Sequence, residues 1–176
     1  SSDVCSSDLQ NNDLDLRLNY CLDSGIKSQE DWLAYKNEMI KKYPVKDPQG
    51  RKHTALDGTK VRSKSELNYI SVFLGRSIPY VYECPISIEG NVIYPDFTIF
   101  NPSTGEEIII EHFGRMDLLK YREQMLWKIN MLMKAGYYPG RNLILCFEDP
   151  DGNIDLETIA RTLDIYIPGI PSRQSA

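Results

Sequence analysis

Residues 93–114 read IYPDFTIFNPSTGEEIIIEHFG: two apolar runs parted by a cluster of turn formers, with the carboxylates Asp96 and Glu111 set inside the runs. β-Branched and aromatic residues (Ile93, Tyr94, Phe97, Thr98, Ile99 and Phe100, then Ile108, Ile109 and Ile110) flank Asn101-Pro102-Ser103-Thr104-Gly105, the pattern of a β-hairpin. Strand interiors are unfavourable for acids unless something binds them. With Phe100 opposite Glu107, Asp96 falls opposite Glu111 on the same face, with Cβ atoms roughly 5 Å apart. Two carboxylates that close repel and push one pKa upward, unless a divalent cation lies between them. Hard oxygen ligands on a rigid scaffold suit Mg²⁺, with Mn²⁺ as its substitute. A register slip of one residue separates the pair onto opposite faces.

A third acid precedes the hairpin. Ser63-Lys64-Ser65-Glu66 opens the apolar run from Leu67 to Leu74 as a capping box, with Ser63 at the N-cap and Glu66 at N3. Glu66 is also followed at i+4 and i+7 by Ile70 and Phe73, which places it on the stripe facing the core. It is therefore read both as a cap and as a carboxylate directed toward the sheet.

Outward from the hairpin, the pattern predicts a helix over 63–75, a strand over 79–88, hairpin strands over 92–100 and 106–112, a helix over 116–135, a strand over 142–147 and a helix over 155–164. That is an α/β domain of order αβββαβ with one helix added. Motif and order together resemble the PD-(D/E)xK nuclease superfamily, the restriction-endonuclease-like fold. Pro95-Asp96 stands at its PD, Glu111 at its second acid, and Glu66 at the helical glutamate that many members carry. The strings VRSKSE, IPYVYECP, YPDFTIF and EHFG, with a KI pair upstream of GYYPGRNLIL, are similar to a family of bacterial proteins assigned to that superfamily. The resemblance covers about residues 59–148.

The resemblance implies a mixed sheet flanked by helices and Mg²⁺-dependent hydrolysis of nucleic acid, most simply as a DNA endonuclease, with DNA preferred to RNA. It implies metal ligation by Asp96, Glu111 and the main-chain carbonyl of His112, with Glu66 acting directly or through water. Enzymes of this kind that cut both strands often pair two sites, so a homodimer is an option. One departure stands out: the superfamily lysine belongs two residues after the second acid, where this chain has Phe113. Some members supply the amine from the following helix. Lys128 is the candidate here, because Tyr121, Met125, Lys128 and Leu132 share one helical face, and Lys120 is the runner-up. His112 points to the opposite face of its strand from Glu111, and is read first as packing or support and second as a ligand or base. Glu83 is either an orienting carboxylate or a solvent-facing strand residue. The departure at Phe113 keeps open a catalytically weak or inactive nuclease-fold module that binds nucleic acid or protein. A third option is an unrelated α/β domain whose acids are satisfied locally: Glu66 by capping, Asp96 by turn or strand-end bonds, Glu111 by an arginine such as Arg115 or Arg141.

Composition sets the frame. The chain has 176 residues, 41% of them hydrophobic, enough for one domain with a sizeable core. No run approaches the roughly 18 apolar residues of a membrane span, and no signal-peptide pattern opens the chain, which points to the cytoplasm. Cys5, Cys21, Cys84 and Cys146 show no CxxC spacing and read as free thiols.

The net charge of −5 weighs mildly against a nucleic-acid partner, but its distribution offsets this. Lys41, Lys42, Lys46, Arg51, Lys52, Lys60, Arg62 and Lys64 face only Asp47 and Asp57 in that stretch, which ends at the helix carrying Glu66. Lys60, Arg62 and Lys64 are thus candidates for a phosphate-binding rim, which Arg115, Lys120 and Arg122 extend. The alternative is a solubilising charged loop. Tyr80, Tyr82, Tyr137 and Tyr138 serve base stacking or packing.

Residues 1–12 read as a disordered tail or cloning remnant. Residues 13–58 read as a helical extension (13–23 and 28–43) with a basic linker over 44–58, residues 59–166 as the nuclease-like core, and 167–176 as an extended tail.

Overall fold

The computed structural model of the chain describes residues 28–101, 103–148, 152 and 154–167. The tail over 1–12, the helix expected over 13–23 and all but the first residue of the C-terminal tail lie outside them.

Helix α1 (Gln29–Lys42) starts where Ser28 accepts from the Asp31 amide, replacing a hydrogen bond that the first turn lacks. Residues 44–58 are more than a linker: a 3₁₀ turn (Pro48–Gly50) leads into β1 (His53–Thr54), which pairs antiparallel with β2 (Lys60–Val61). Helix α2 (Lys64–Gly75) carries the complete capping box, with Ser63 accepting from Glu66 N and the Glu66 side chain returning to Ser63 N.

The continuous strand predicted over 79–88 is broken in the structure. β3 (Tyr80–Tyr82) ends at Glu83, which takes φ +47°, and the chain resumes as β4 (Ile86–Ile88). The strand predicted over 92–100 is broken too, into β5 (Asn91–Ile93) and β6 (Phe97–Asn101). Pro85 and Pro95 stand at the two breaks, where each removes a ladder donor, and β4 and β5 pair only with each other. The rest follows as β7 (Glu106–Phe113), α3 (Leu119–Lys134), β8 (Leu143–Phe147) and α4 (Leu156–Tyr166).

Among the described residues the chain is thus a mixed α/β structure of four helices around a four-stranded sheet of order β3-β6-β7-β8. The first three strands are antiparallel, and β8 returns parallel to β7 after α3 crosses over. Period-two alternation assigns the faces. Ile108 and Ile110 of β7 join Phe97, Ile99 and Ile144 against Tyr69, Ile70 and Phe73 of α2 and Ile159 and Leu163 of α4. Ile109, one residue out of phase, packs on the other side with Met131 and Leu132 of α3 and with Ile86, Ile88 and Ile93 of the β4–β5 hairpin. Each such fully buried side chain contributes about 1.5–3 kcal/mol. The result is a sheet covered on both faces, with β7 running through the centre. No helix among the described residues is long and apolar enough to cross a membrane.

Candidate active site

The β6–β7 ladder pairs Phe100 with Glu107 and Phe97 with Ile110. Continuing it by one residue brings Asp96, at the bend ahead of β6, beside Glu111. Two main-chain bonds fix this corner: Glu83 N donates to Asp96 O at 3.1 Å, and His112 N donates to Asp96 Oδ2 at 2.7 Å. Facing both acids is Lys128 from α3, its Nζ 2.6 Å from Glu111 Oε2 and 3.8 Å from Asp96 Oδ1. Lys128 arrives there because the Tyr121, Met125, Lys128 and Leu132 stripe turns toward the sheet, with Leu132 fully buried. Asp96, Glu111, Tyr121, Gln124, Met125 and Lys128 line a cleft of about 180 Å³.

Electrostatics single out Glu111. Its side chain is 1% exposed, and Oε1 has no hydrogen-bond partner among the described residues. Burial and then the Asp96 charge push its carboxyl up to about 8, against the pull of Lys128. Burial lowers Lys128, but the Glu111 and Asp96 charges outweigh it and hold the ammonium above its ordinary value. Near neutral pH Glu111 therefore keeps its proton beside a charged Lys128. A second positive charge brought between the acids would expel the Glu111 proton.

Glu66 satisfies both of its readings. It lies on the inward stripe, half-buried, and its Oε2 accepts from Arg62 N at 2.7 Å, Ser63 N at 3.0 Å and the Tyr82 hydroxyl at 2.9 Å. Burial, joined by the Asp96 charge, raises its pKa against those three bonds. It is therefore within the field of Asp96 but held as a cap. No group of three or more His, Cys, Asp or Glu side chains is arranged to hold a metal among the described residues.

Several other residues stand elsewhere than expected. The His112 ring is not among the acids: it passes to the α2 face, where Nδ1 lies 3.3 Å from the Tyr69 hydroxyl and Nε2 3.3 Å from Glu148 Oε1. Its main chain alone touches the acids, so the ring is not placed as a ligand. Glu83 neither faces solvent nor reaches the cleft lysine. It receives Arg51 at 2.6 Å on Oε2 and Arg62 at 2.6 Å on Oε1. Arg62, expected to hold phosphate, is thereby committed, with a further bond from its Nη2 to Asp47 O. Arg115 pairs with Asp117 rather than with Glu111. Lys60, Lys64 and Lys120 are exposed with no ion pair among the described residues. Lys120 thus stays on the surface, and Lys128 is the amine at the acids. Phe113, at the position where the superfamily has its lysine, is buried against Phe147 with ring centroids 5.7 Å apart.

Of the tyrosines read as stacking candidates, Tyr80 donates to Asp57, Tyr82 to Glu66 and Tyr137 to Glu107, while Tyr138 is exposed. Cys84 and Cys146 are buried, and Cys5 and Cys21 lie outside the described residues. Sequence reasoning missed Gln124 and Glu148. An i+4 spacing from Gln124 to Lys128 was the available signal for the first, and nothing local marks the second.

No protein-family model, no curated protein and no solved structure matches this chain.

Proposed function

We propose that this chain is a metal-dependent phosphodiesterase acting on nucleic acid, DNA in preference to RNA, built on a restriction-endonuclease-like core. The observation that carries the reading is the buried, unpaired Oε1 of Glu111 beside Asp96 and Lys128 in one cleft. An orphaned buried carboxylate oxygen costs about 1–3 kcal/mol or more, a cost that a bound cation removes. The succession of α2, three antiparallel strands, α3 and a parallel β8 supports the same reading.

The donor set fits Mg²⁺, which is commonly held by one or two carboxylates while keeping several waters. Asp96 and Glu111 would hold it, and when bound it supplies Lewis-acid neutralisation of a phosphate and lowers the pKa of a water. This chain's own residues do the rest. The His112 amide fixes Asp96, β7 fixes Glu111, and Lys128 presents a cation to a phosphate oxygen entering the cleft, where charge grows during attack. Exposed Lys60, Lys64 and Lys120 offer sequence-independent contacts to the backbone of the substrate.

The test is cleavage of supercoiled plasmid, linear duplex, branched DNA, single strands and RNA with Mg²⁺ or Mn²⁺. Cutting is expected to vanish with EDTA and in Asp96→Ala while circular dichroism stays that of the wild type. Cutting unchanged in Asp96→Ala removes the assignment. A binding module without turnover is favoured by a separate observation, the commitment of Glu66 Oε2 to capping. Mn²⁺ binding by the wild type with no cleavage of any substrate would select it.

A further inference from the structure

We propose that Glu148 is a positioning residue for this site, a carboxylate outside the cleft that ties together the segments bearing Glu66, Asp96 and Glu111. The inference rests on the metal-site reading above. Glu148 follows the last residue of β8, and its amide donates to Phe113 O at 3.1 Å, which closes β7 just past Glu111. Its Oε1 then accepts from Ser65 Oγ at 3.2 Å, in the first turn of α2 beside Glu66. The same oxygen meets His112 Nε2 at 3.3 Å.

The His112 ring is 5% exposed in its side chain and has a partner at each nitrogen. Both contacts are satisfied when Nε2–H donates to Glu148 and Nδ1 accepts from the Tyr69 hydroxyl. A ring held at both ends fixes its own peptide, and that peptide supplies the 2.7 Å bond to Asp96 Oδ2. Hence one carboxylate sets the first turn of α2, the end of β7 and, through His112, the orientation of Asp96. Supporting groups of this kind typically change metal affinity 10–100-fold. Gly114 preserves the arrangement, because a Cβ there would fall 2.5 Å from Glu148 Oε2.

The sequence has two histidines, His53 and His112, so ¹⁵N-histidine labelling of the full chain gives two amide signals, which Asp96→Ala assigns. In metal-free protein the His112 amide is expected downfield and slow to exchange. Glu148→Ala should return it upfield and speed exchange at least tenfold. Gly114→Ala should do the same by displacing the carboxylate, and should add nothing in the Glu148→Ala background. Glu148→Gln should keep the wild-type signal, because its amide oxygen accepts from the same donors. Calorimetric Mn²⁺ affinity should fall about tenfold or more in Glu148→Ala and Gly114→Ala and hold in Glu148→Gln. A His112 amide unmoved by Glu148→Ala or Gly114→Ala overturns the proposal, as does a Glu148→Gln protein that falls as far as Glu148→Ala. Wild-type protein that binds no Mn²⁺ would overturn the metal reading alone, since the amide signals decide the positioning role without metal.

Discussion

Glu107 and Glu111 lie four residues apart on the same face of β7, both buried and each within 2.6 Å of a lysine, yet their surroundings are completed differently. Glu107 receives Lys36 Nζ at 2.5 Å and Trp32 Nε1 at 2.7 Å on Oε2, and the Tyr137 hydroxyl on Oε1. Burial pushes its carboxyl up, but the Lys36 charge and these bonds outweigh it and hold Glu107 below its ordinary value. Glu111 receives the Lys128 ammonium on Oε2, has no partner on Oε1 among the described residues, has Asp96 as a neighbour and ends about 8. One strand face therefore presents a saturated carboxylate and an unsaturated one. The first fastens α1 to the sheet. The second is left short of donors where a cleft opens, the pattern of a group whose missing partner comes from outside.

The contrast breaks or holds most visibly at Glu107. Its replacement by Gln breaks the buried Lys36–Glu107 ion pair and should cost about 3–5 kcal/mol of stability in urea unfolding. A loss under about 1 kcal/mol would mean that the α1 fastening is not what the three donors suggest.

Next in size is Lys128. If its amine meets the developing charge on phosphate, Lys128→Ala should lower kcat about hundredfold, or about 2.7 kcal/mol, while Lys120→Ala changes little. A Lys128→Ala rate within threefold of wild type would make the lysine a counter-ion for Glu111 and no more.

How far the sequence reached follows from distance along the chain. The β6–β7 hairpin was legible from its turn residues, with the register Phe100 opposite Glu107 assumed and then found, and the Glu66 cap was legible because Ser-x-x-Glu acts within one turn. Lys128 was legible through helical spacing, once the resemblance pointed to an amine on the helix after β7. The break at Glu83 was not read, although Pro85 and Pro95 signalled it, because YVYECPISI keeps an apolar density that outweighs one proline. The Glu107 cluster joins residues 75 apart, and the Ser65–Glu148 bond residues 83 apart. No local pattern encodes such pairings, which belong to the packing of α1 and β8 against a finished sheet.

The smallest effect has the opposite sign to the largest. Because the folded Glu111 value of about 8 stands above its ordinary 4.5, the folded chain keeps a proton that the unfolded chain releases between those values. Stability from this group is therefore full below about pH 4.5, falls as pH rises toward 8, and levels once both states are ionised. Gln at 111 has no proton to lose. Glu111→Gln should match wild type near pH 4.5 in urea midpoint, then gain on it by about 1 kcal/mol or more by pH 8, even as the proposed metal binding would be lost. A variant less stable than wild type at every pH would show Glu111 to be ionised and satisfied like Glu107, and the difference between the two carboxylates would collapse.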